Sequence, residues 1–507
     1  MKKIFLIIAL LALGFGAEVK GQVGELPRST PEAQGVQSGR IRMMLDSLMN
    51  YPNTEIHSFM MLRHGKVIAE LYPTPFNAEG QHILASCSKT FVSAAVGLCV
   101  DDNRLQVTDR VLNFFPEHSP DSISENLASL TVHHLLTMGS GITPDWVLRD
   151  TSTTWIKSWL AKPIDKPGGK FLYDSMSTYM LSAIVQRVAG VTVFDLLKER
   201  IFGPLGIATV DWEISPEGYN TGGWGLNLQA ESMAKFGQLL LQRGQWNGEQ
   251  LISTEWIDEM MKSHVQHQNG YGYQMWGCEH PGAWRADGAF GQYIVVAPKE
   301  DVVIVVTQCM RDHPVKEREI IWRHALNGLS DKPLQTDRNH ELLTRDCARY
   351  HLDWPTGNRG SSTLDKGHFA RIALEKNRLG WKSLTITNDD GKYTVRVEKE
   401  NGERVTAKLG YKEWLNSTSR FTPPYNVNAV DRFKGISRSF DVAGAMAWPS
   451  KYKMEFILQW TNWISMVKVG VTFGAAGQAT VEMTYNLESY STPFKVMGKY
   501  ERFRSQK

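Results

Sequence analysis

Ser86 and Lys89 are the two residues of this sequence whose types and spacing could do chemistry together. An apolar run at helical spacing over residues 91–98 follows them, so we predict that Ser86 stands at or just inside a helix start, with Lys89 one turn further on. Residues three apart on a helix share a face, and a serine hydroxyl becomes a good nucleophile when a base takes its proton. Lysine can be that base once burial or a positive field lowers its pKa. A buried helix N-terminus provides both, and its free amides can hold an oxyanion.

The Ser-x-x-Lys pattern is not specific by itself, because it recurs at residues 232–235, 450–453 and 465–468. The first recurrence lies inside an amphipathic helix pattern and the other two lie in alternating, strand-like sequence, so none of them opens a buried helix. On the motif alone, an ordinary helix-opening serine with a surface lysine remains the alternative.

A second candidate group surrounds Tyr173, which follows a Pro-Gly-Gly turn and directly precedes an apolar helix pattern. A tyrosine fixed at such an entry can present its hydroxyl to a cleft, whereas Asp174 and Ser175 are interpreted more simply as helix N-caps. The glycine-rich loop at residues 222–225, which contains Trp224, indicates a close approach of the backbone to another part of the molecule.

The elements that must position these residues form a mixed α/β layout. An amphipathic helix over residues 41–49 and a hairpin over residues 57–72 precede Ser86, helices fill the middle, and a hairpin of two buried strands spans residues 288–307. We therefore expect one α/β (α+β) domain over residues 23–335, whose sheet is assembled from segments far apart in the chain.

From about residue 340 the sequence changes to alternating strands separated by turns. This pattern predicts a separate all-β domain over residues 340–507, either a sandwich or a small barrel. Its tryptophans are expected to pack in the core, with an apolar ligand face as the alternative. They are Trp381, Trp414, Trp448, Trp460 and Trp463.

The N-terminus has the pattern of a secretory signal peptide. A Met-Lys-Lys start precedes an apolar run over residues 4–17 that is too short to span a bilayer comfortably, and polar Glu18 and Lys20 follow. We expect residues 1–22 to be removed and the mature chain to be periplasmic or secreted, with an uncleaved anchor as the alternative. No later stretch is apolar for long enough to cross a membrane.

The composition is ordinary for a globular protein of two or three domains: 507 residues, 42% hydrophobic and 21% charged. A net charge of +3 with evenly spread Lys and Arg does not indicate nucleic-acid binding. The five cysteines lack Cys-x-x-Cys and metal-like spacing to histidine, so we predict no metal and no other cofactor, and mostly buried thiols.

With these segments placed, their order resembles the serine β-lactamase and penicillin-binding-protein superfamily, on its class C and esterase side. Ser86-x-x-Lys89 is similar to the nucleophile motif of that family, and Tyr173-Asp174-Ser175 stands in the place of its Tyr-x-Asn motif. Residues 135–142 are similar to its helix-and-turn signature, and residues 234–240 and the Gly291-Gln292 hairpin are typical of its esterase-like members. The resemblance covers roughly residues 30–330 and leaves the β domain outside.

The resemblance implies a β-lactamase/transpeptidase-like antiparallel sheet with a helical subdomain. It implies Ser86 as the acylated nucleophile, Lys89 as the group that takes its proton and Tyr173 as the proton shuttle to and from the leaving group. The oxyanion donors would be the amides of Ser86 and Ala289. The full set of oxyanion and substrate-binding residues that the resemblance implies is Gly288, Ala289, Ser175, Asp287 and Trp224.

Two departures from the family pattern affect the expected substrate. Ser175 replaces the Asn of the tyrosine motif, and the Lys-Thr-Gly motif appears as Ala286-Asp287-Gly288, without its cation. In the family that lysine helps to hold the carboxylate of penicillins and D-alanyl peptides. Arg285 is adjacent but is expected to face away from Ala286 on an extended strand. A small ester, amide or short peptide without that carboxylate is therefore favoured.

Three hypotheses follow. The first is a periplasmic or secreted serine hydrolase that cleaves an ester or amide. The second is an acyltransferase that passes the same acyl group to a hydroxyl or amine of a bulky apolar acceptor such as a sterol. The third is a true β-lactamase or D,D-peptidase, or a non-catalytic penicillin-binding-like protein.

Overall fold

A computed structural model describes residues 25–312, 314–487 and 493–504 of the chain. The expected signal peptide, residues 1–22, lies outside the described residues.

The first part of the chain, as the structure describes it before residue 340, forms eleven strands and most of the helices. Its strands are β1 (Thr54–Arg63), β2 (Lys66–Leu71), β3 (His82–Ile83), β4 (Asp211–Trp212), β5 (Leu226–Leu228), β6 (Gln245–Trp246), β7 (Glu249–Gln250), β8 (Trp276–Gly277), β9 (Trp284–Gly288), β10 (Gln292–Ala297) and β11 (Val302–Met310). The α-helices of all the described residues are α1 (Ser38–Met49), α2 (Ser88–Asp101), α3 (Glu125–Ser129), α4 (Val132–Leu136), α5 (Val147–Thr151), α6 (Trp155–Leu160), α7 (Ser175–Ala189), α8 (Val193–Leu197), α9 (Ala230–Leu241), α10 (Thr254–Met260), α11 (Pro314–Ile321) and α12 (Arg338–Cys347). Short 3-10 segments include Ala85–Cys87, and π-helical segments span Lys198–Phe202 and Trp322–Leu326.

The main sheet of this part is antiparallel, with strand order β2-β1-β11-β10-β9-β8. Its central strand β11 is buried along its whole length, which explains the nearly continuous valine and isoleucine run. Successive side chains face opposite sides: Val303 belongs to the core shared with the middle helices, and Ile304 to the core under α1. The sheet is thus covered on both faces, as the mixed fold prediction requires.

The helical part packs around α2, whose residues 88–99 are all buried. Helix α7 lies beside it, and both belong to the same hydrophobic core. Ser86 and Ser175 stand at the N-terminal ends of these two neighbouring helices, so the two candidate groups of the sequence meet at one end of the pair.

The C-terminal part is an all-β domain of ten antiparallel strands. They are β12 (His368–Leu374), β13 (Trp381–Asp389), β14 (Lys392–Lys399), β15 (Arg404–Leu409), β16 (Leu415–Ser419), β17 (Phe440–Ser450), β18 (Lys453–Trp460), β19 (Met466–Phe473), β20 (Gln478–Tyr485) and β21 (Phe494–Arg504). Their order is β15-β14-β13-β12-β21-β20-β19-β18-β17-β16. A bridge between Gly410 and Ala445 brings the two ends of the sheet together, so the domain is a near-closed barrel, one of the two predicted forms.

The tryptophans of this domain occupy its core. Trp381, Trp448, Trp460 and Trp463 are at most 1% exposed and belong to one hydrophobic cluster, whereas Trp414 is partly exposed. Core packing, the favoured interpretation, is therefore confirmed for four of the five.

The two parts contact each other through the segment before β17. Arg438 pairs with Asp211 and donates to Asn227 Oδ1 at 3.0 Å, and the amide of Val430 donates to the carbonyl of Arg149 at 2.9 Å. Helix α12 packs on α1 of the first part, although all but its first two residues lie within the range 340–507 predicted for the C-terminal domain.

Among the described residues, no single helix has the length and hydropathy of a membrane span. One pair bent by 70°, Ser175–Ala189 with Val193–Phe202, meets the length and composition requirements together.

Candidate active site

Ser86 lies in the 3-10 turn Ala85–Cys87, which leads directly into α2. Hydrogen bonds fix this turn: the amide of Leu84 donates to the carbonyl of Leu226 at 2.9 Å, and the Ser88 hydroxyl donates to the carbonyl of Ala85 at 2.7 Å. Ala85 has a φ of 46°, a left-handed conformation that is costly for a residue with a Cβ. The surrounding contacts therefore hold the serine in one position.

Lys89 is buried and its Nζ reaches three oxygens. It lies 2.9 Å from Ser86 Oγ, 2.9 Å from Ser175 Oγ and 2.6 Å from the carbonyl oxygen of Gly223. The three donors of an ammonium are thus satisfied. In the neutral amine, Nζ carries two protons and a lone pair, so the Ser86 hydroxyl can donate to it instead.

Burial lowers the pKa of Lys89 to about 7. The carboxylate of Asp174 acts in the opposite direction, and the positive charge of Arg149 lowers the pKa further. A large fraction of Lys89 is therefore neutral at neutral pH, which is the state that a proton acceptor for Ser86 requires.

The glycine-rich loop supplies the carbonyl that orients Lys89. A Cβ at Gly223 would lie 2.5 Å from the carbonyl oxygen of Ser175, so only glycine fits where the loop presses on the start of α7. The sequence predicted a close backbone approach in this loop, and the structure identifies Ser175 as the neighbour.

The Tyr173 ring lies beside Lys89, with Nζ 4.9 Å from the ring centroid. Burial raises the pKa of Tyr173 well above its usual value, while hydrogen bonds to Ser86 and Trp276 act in the opposite direction. Its hydroxyl therefore stays protonated at neutral pH and is suited to donate a proton.

Asp174, which lies between Tyr173 and Ser175 in the chain, fixes the start of α7. Its carboxylate accepts from the amides of Met176 and Ser177 at 3.0 and 3.1 Å and from the Trp159 indole at 3.1 Å. Asp174 is thus the N-cap of the helix, and Ser175 is its first residue, with its hydroxyl turned to Lys89.

Strand β9 ends against the Ser86 turn. A Cβ at Gly288 would lie 2.3 Å from the carbonyl oxygen of Leu84, so the strand and the turn are in direct backbone contact. The next residue, Ala289, lines the same cavity as Ser86. Ser86 stands in the first turn of a helical segment, where amides lack intrahelical acceptors, and we expect its amide, together with that of Ala289, to hold an oxyanion.

Asp287 is turned away from this cavity towards Arg285, with which it forms an ion pair at 2.7 Å. Arg285 also donates to the carbonyl of Gly277, and Ala286 is buried in the hydrophobic core. The side chain of Arg285 faces away from that of Ala286, as predicted. The carboxylate of Asp287 neutralises the charge of Arg285.

The cavity at Ser86 has a volume of about 330 Å³ and is formed by both parts of the chain. The residues from the first part are Ile83, Ala85, Ser86, Trp146, Arg149, Ser175, Trp224, Ala289 and Phe290, and those from the C-terminal domain are Tyr425, Asn426, Val427 and Ile464. Of the predicted residues, Ser86, Ser175, Trp224 and Ala289 thus share one cavity.

Sequence reasoning did not identify Arg149 or the contribution of the C-terminal domain. Arg149 lies in the short helix α5, which carries no motif, and Tyr425–Val427 lies in a loop more than 270 residues from Arg149 in the chain. Neither contact leaves a local signal in the sequence.

No group of three or more His, Cys, Asp or Glu side chains that could hold a metal ion is found among residues 25–312, 314–487 and 493–504. The five cysteines are free thiols, and four of them are buried.

Comparison with known proteins identifies the matching family. The family model for Beta-lactamase matches residues 57–330. A curated relative, the 6-aminohexanoate-dimer hydrolase of Paenarthrobacter ureafaciens, is 25% identical over 283 residues, which cover 49% of this chain and 71% of the relative.

Two solved structures are also similar. The octameric penicillin-binding protein homologue from Pyrococcus abyssi is 15% identical, with a TM-score of 0.47, and the match covers 91% of this chain and 100% of that chain. EstCE1, described as a hydrolase with promiscuous acyltransferase activity, is 16% identical, with a TM-score of 0.46 and coverage of 62% and 97%.

The position of Lys89 predicts the effect of replacing it. Lys89→Met removes the amine that we expect to accept the Ser86 proton and fills a similar volume, so phosphonylation of Ser86 by a fluorophosphonate probe should slow by about a hundredfold to ten-thousandfold. Lys89→Arg should slow it nearly as much, because a guanidinium does not deprotonate at working pH. Intact-protein mass spectrometry over time gives the rates, and circular dichroism checks the fold. A folded Lys89→Arg protein that reacts with the probe at the parental rate would exclude lysine as the base.

Proposed function

Since this chain belongs to the beta-lactamase family and is a serine hydrolase, we propose that it cleaves a small ester or amide through an acyl-Ser86 intermediate. The observation that carries the proposal is the buried Lys89 amine, 2.9 Å from the Ser86 hydroxyl, with a pKa that burial lowers to about 7. The name of the hydrolase relative from Paenarthrobacter ureafaciens supports an amide as one kind of substrate.

In the acylation step, Lys89 takes the proton of Ser86 while Oγ attacks the substrate carbonyl carbon. The carbonyl oxygen becomes an oxyanion and accepts hydrogen bonds from the amides of Ser86 and Ala289. Because these amides are held by the turn and by the end of β9, they need little rearrangement when the charge develops.

When the tetrahedral intermediate collapses, the bond to the leaving group breaks and that group needs a proton. The protonated hydroxyl of Tyr173 donates it, and the Lys89 ammonium returns a proton to Tyr173. Water then attacks the acyl-enzyme and its proton passes to Lys89. As the bond between the acyl carbon and Ser86 Oγ breaks, Lys89 returns that proton to Oγ and the carboxylic acid product leaves. Each residue ends in its starting protonation state.

The hypothesis of a β-lactamase or D,D-peptidase receives less support. Ala286 stands where the family carries the cation of its Lys-Thr-Gly motif, and it is buried in the core. Arg285, the neighbouring cation, is paired with Asp287 and donates to Gly277. Strand β9 therefore offers no free cation to the carboxylate of such a substrate.

Acyl transfer to an alcohol or amine is the second candidate, since Val427 and Ile464 add an apolar wall to the cavity. Four of the five tryptophans of the C-terminal domain lie in the barrel core and form no apolar ligand face, so we favour water as the acceptor. Mass spectrometry of reactions with p-nitrophenyl butyrate and a panel of alcohols checks this: hydrolysis should dominate, and acylated alcohol as the main product would favour transfer.

We further propose that the chain is exported to the periplasm or secreted, on the signal-peptide pattern of its first 22 residues. After expression in a Gram-negative host, the protein should be found outside the cytoplasm with a new N-terminus near residue 22. An intact N-terminus on cytoplasmic protein would contradict export.

Replacing the nucleophile tests the proposal. Ser86→Ala should abolish both fluorophosphonate labelling and the hydrolysis of p-nitrophenyl butyrate by the purified full chain, because it removes the hydroxyl that lies 2.9 Å from Lys89 Nζ.

Ser232→Ala is the matched control, because Ser232 and Lys235 repeat the same spacing inside α9. This variant should keep both labelling and hydrolysis. Undiminished hydrolysis by a folded Ser86→Ala protein would refute the proposed function.

A further inference from the structure

The cavity at Ser86 contains a cation that the mechanism above does not use. We propose that Arg149 binds an anionic group, such as a carboxylate, of the substrate, so that the preferred esters or amides carry a negative charge. This inference rests on the proposed function and goes beyond it, because it names a specificity-determining residue and the class of substrate that this residue selects.

The Arg149 side chain is largely buried and incompletely paired. It is 11% exposed, and its ion pair with Asp150 is long, at 3.7 Å between Nε and Oδ1. Nε is buried without a hydrogen-bond partner among the described residues. An incompletely paired charge of this kind is costly, and a bound anion would remove part of that cost.

Two aromatic rings hold the guanidinium. Its central carbon lies 4.3 Å from the ring centroid of Trp146 and 5.0 Å from that of Trp224, and all three residues line the cavity. A guanidinium carries its five N–H donors in its own plane, in a fork that matches a carboxylate. Aromatic contacts use the face of the group and leave donors at its edge for a bidentate ligand.

The backbone of Arg149 is anchored by the other domain. Its carbonyl accepts from the amide of Val430 at 2.9 Å, three residues beyond the Tyr425–Val427 segment that lines the cavity. The C-terminal domain thus fixes the position of the cation and also provides part of the apolar wall next to it.

Two carboxylates act on this charge, Asp150 through the long ion pair and Glu213 from beside Trp224. Glu213 accepts from the Trp224 indole at 3.0 Å, and burial raises the pKa of Glu213 to about 7. It is therefore a partial counter-charge at neutral pH. The charge of Arg149 also lowers the pKa of Lys89, so the cation acts on the same site as the nucleophile.

These observations place an incompletely paired guanidinium on the α5 side of the cavity, whereas the cation of strand β9, Arg285, is paired with Asp287. A substrate carboxylate that finds no unpaired cation on β9 can therefore pair with Arg149. With a volume of about 330 Å³, the cavity accommodates a small substrate in which the anion and the scissile bond are close together.

Two matched pairs of esters test the proposal with the full chain. Mono-p-nitrophenyl adipate against p-nitrophenyl hexanoate places the charge on the acyl side, and 4-carboxyphenyl hexanoate against 4-carbamoylphenyl hexanoate places it on the leaving group. We expect a higher kcat/KM for the anionic member of at least one pair, which identifies the side that Arg149 contacts. Arg149→Met should reduce that ratio by about tenfold to 150-fold, the usual range for charge-assisted hydrogen bonds.

Arg149→Lys should restore part of the ratio, because it keeps the charge without the fork. Arg404→Met is the control, since Arg404 lies on β15 with a 65% exposed side chain, and it should leave the ratio unchanged. A parental enzyme that prefers neither anionic ester, or an Arg149→Met protein that keeps the preference, would overturn the proposal.

A binding measurement separates this inference from the proposed function. In the Ser86→Ala background, calorimetric titration should show hexanoate binding more tightly than hexanamide, and the additional change Arg149→Met should remove the difference. If the parental chain hydrolyses none of the four esters, the proposed function fails, and this titration alone decides whether Arg149 binds a carboxylate. Equal binding of hexanoate and hexanamide would then overturn the inference.

Discussion

The burial of one amine organises this molecule. Lys89 Nζ is surrounded by Ser86 Oγ, Ser175 Oγ and the Gly223 carbonyl, and each of these comes from a different element. The start of α2, the start of α7 and the glycine-rich loop must therefore meet within hydrogen-bond distance of one atom. Gly223 is required there because a Cβ would collide with Ser175, and Asp174 is required because it caps α7 at that point.

The same burial links catalysis to stability. Moving an ammonium out of water is unfavourable, and three hydrogen bonds offset part of that cost. Because burial lowers the pKa of Lys89 from 10.5 in the unfolded chain to about 7, the unfolded state binds more protons between these values. This residue therefore makes the folded state more stable as pH rises through that range, and its penalty is largest below about pH 7. Burial of Lys89 therefore lowers the stability of the fold but leaves an amine that can accept a proton at neutral pH.

The sequence predicted the parts of this arrangement that depend on local spacing. The helix start at Ser86, the one-turn distance to Lys89, the helix after Tyr173 and the opposite faces of Arg285 and Ala286 all follow from the periods of helices and strands. The parts that depend on distant contacts could not be predicted. Closure of the barrel depends on the pairing of Gly410 with Ala445, and the cavity wall depends on the docking of Tyr425–Val427 beside α5. Arg149 belongs to this second group, because its role arises from its neighbours in space.

The most direct test of this account is the pKa of Lys89 itself. Lysine labelled with 13C at Cε reports the charge of its amine by NMR, and the Lys89→Met protein identifies the signal of Lys89 among the others. If burial lowers the pKa of Lys89 to about 7, one lysine signal, missing in that variant, should titrate near pH 7. A Lys89 that titrates near the ordinary value of about 10.4 would show that the amine is charged at neutral pH and would contradict its role as the base.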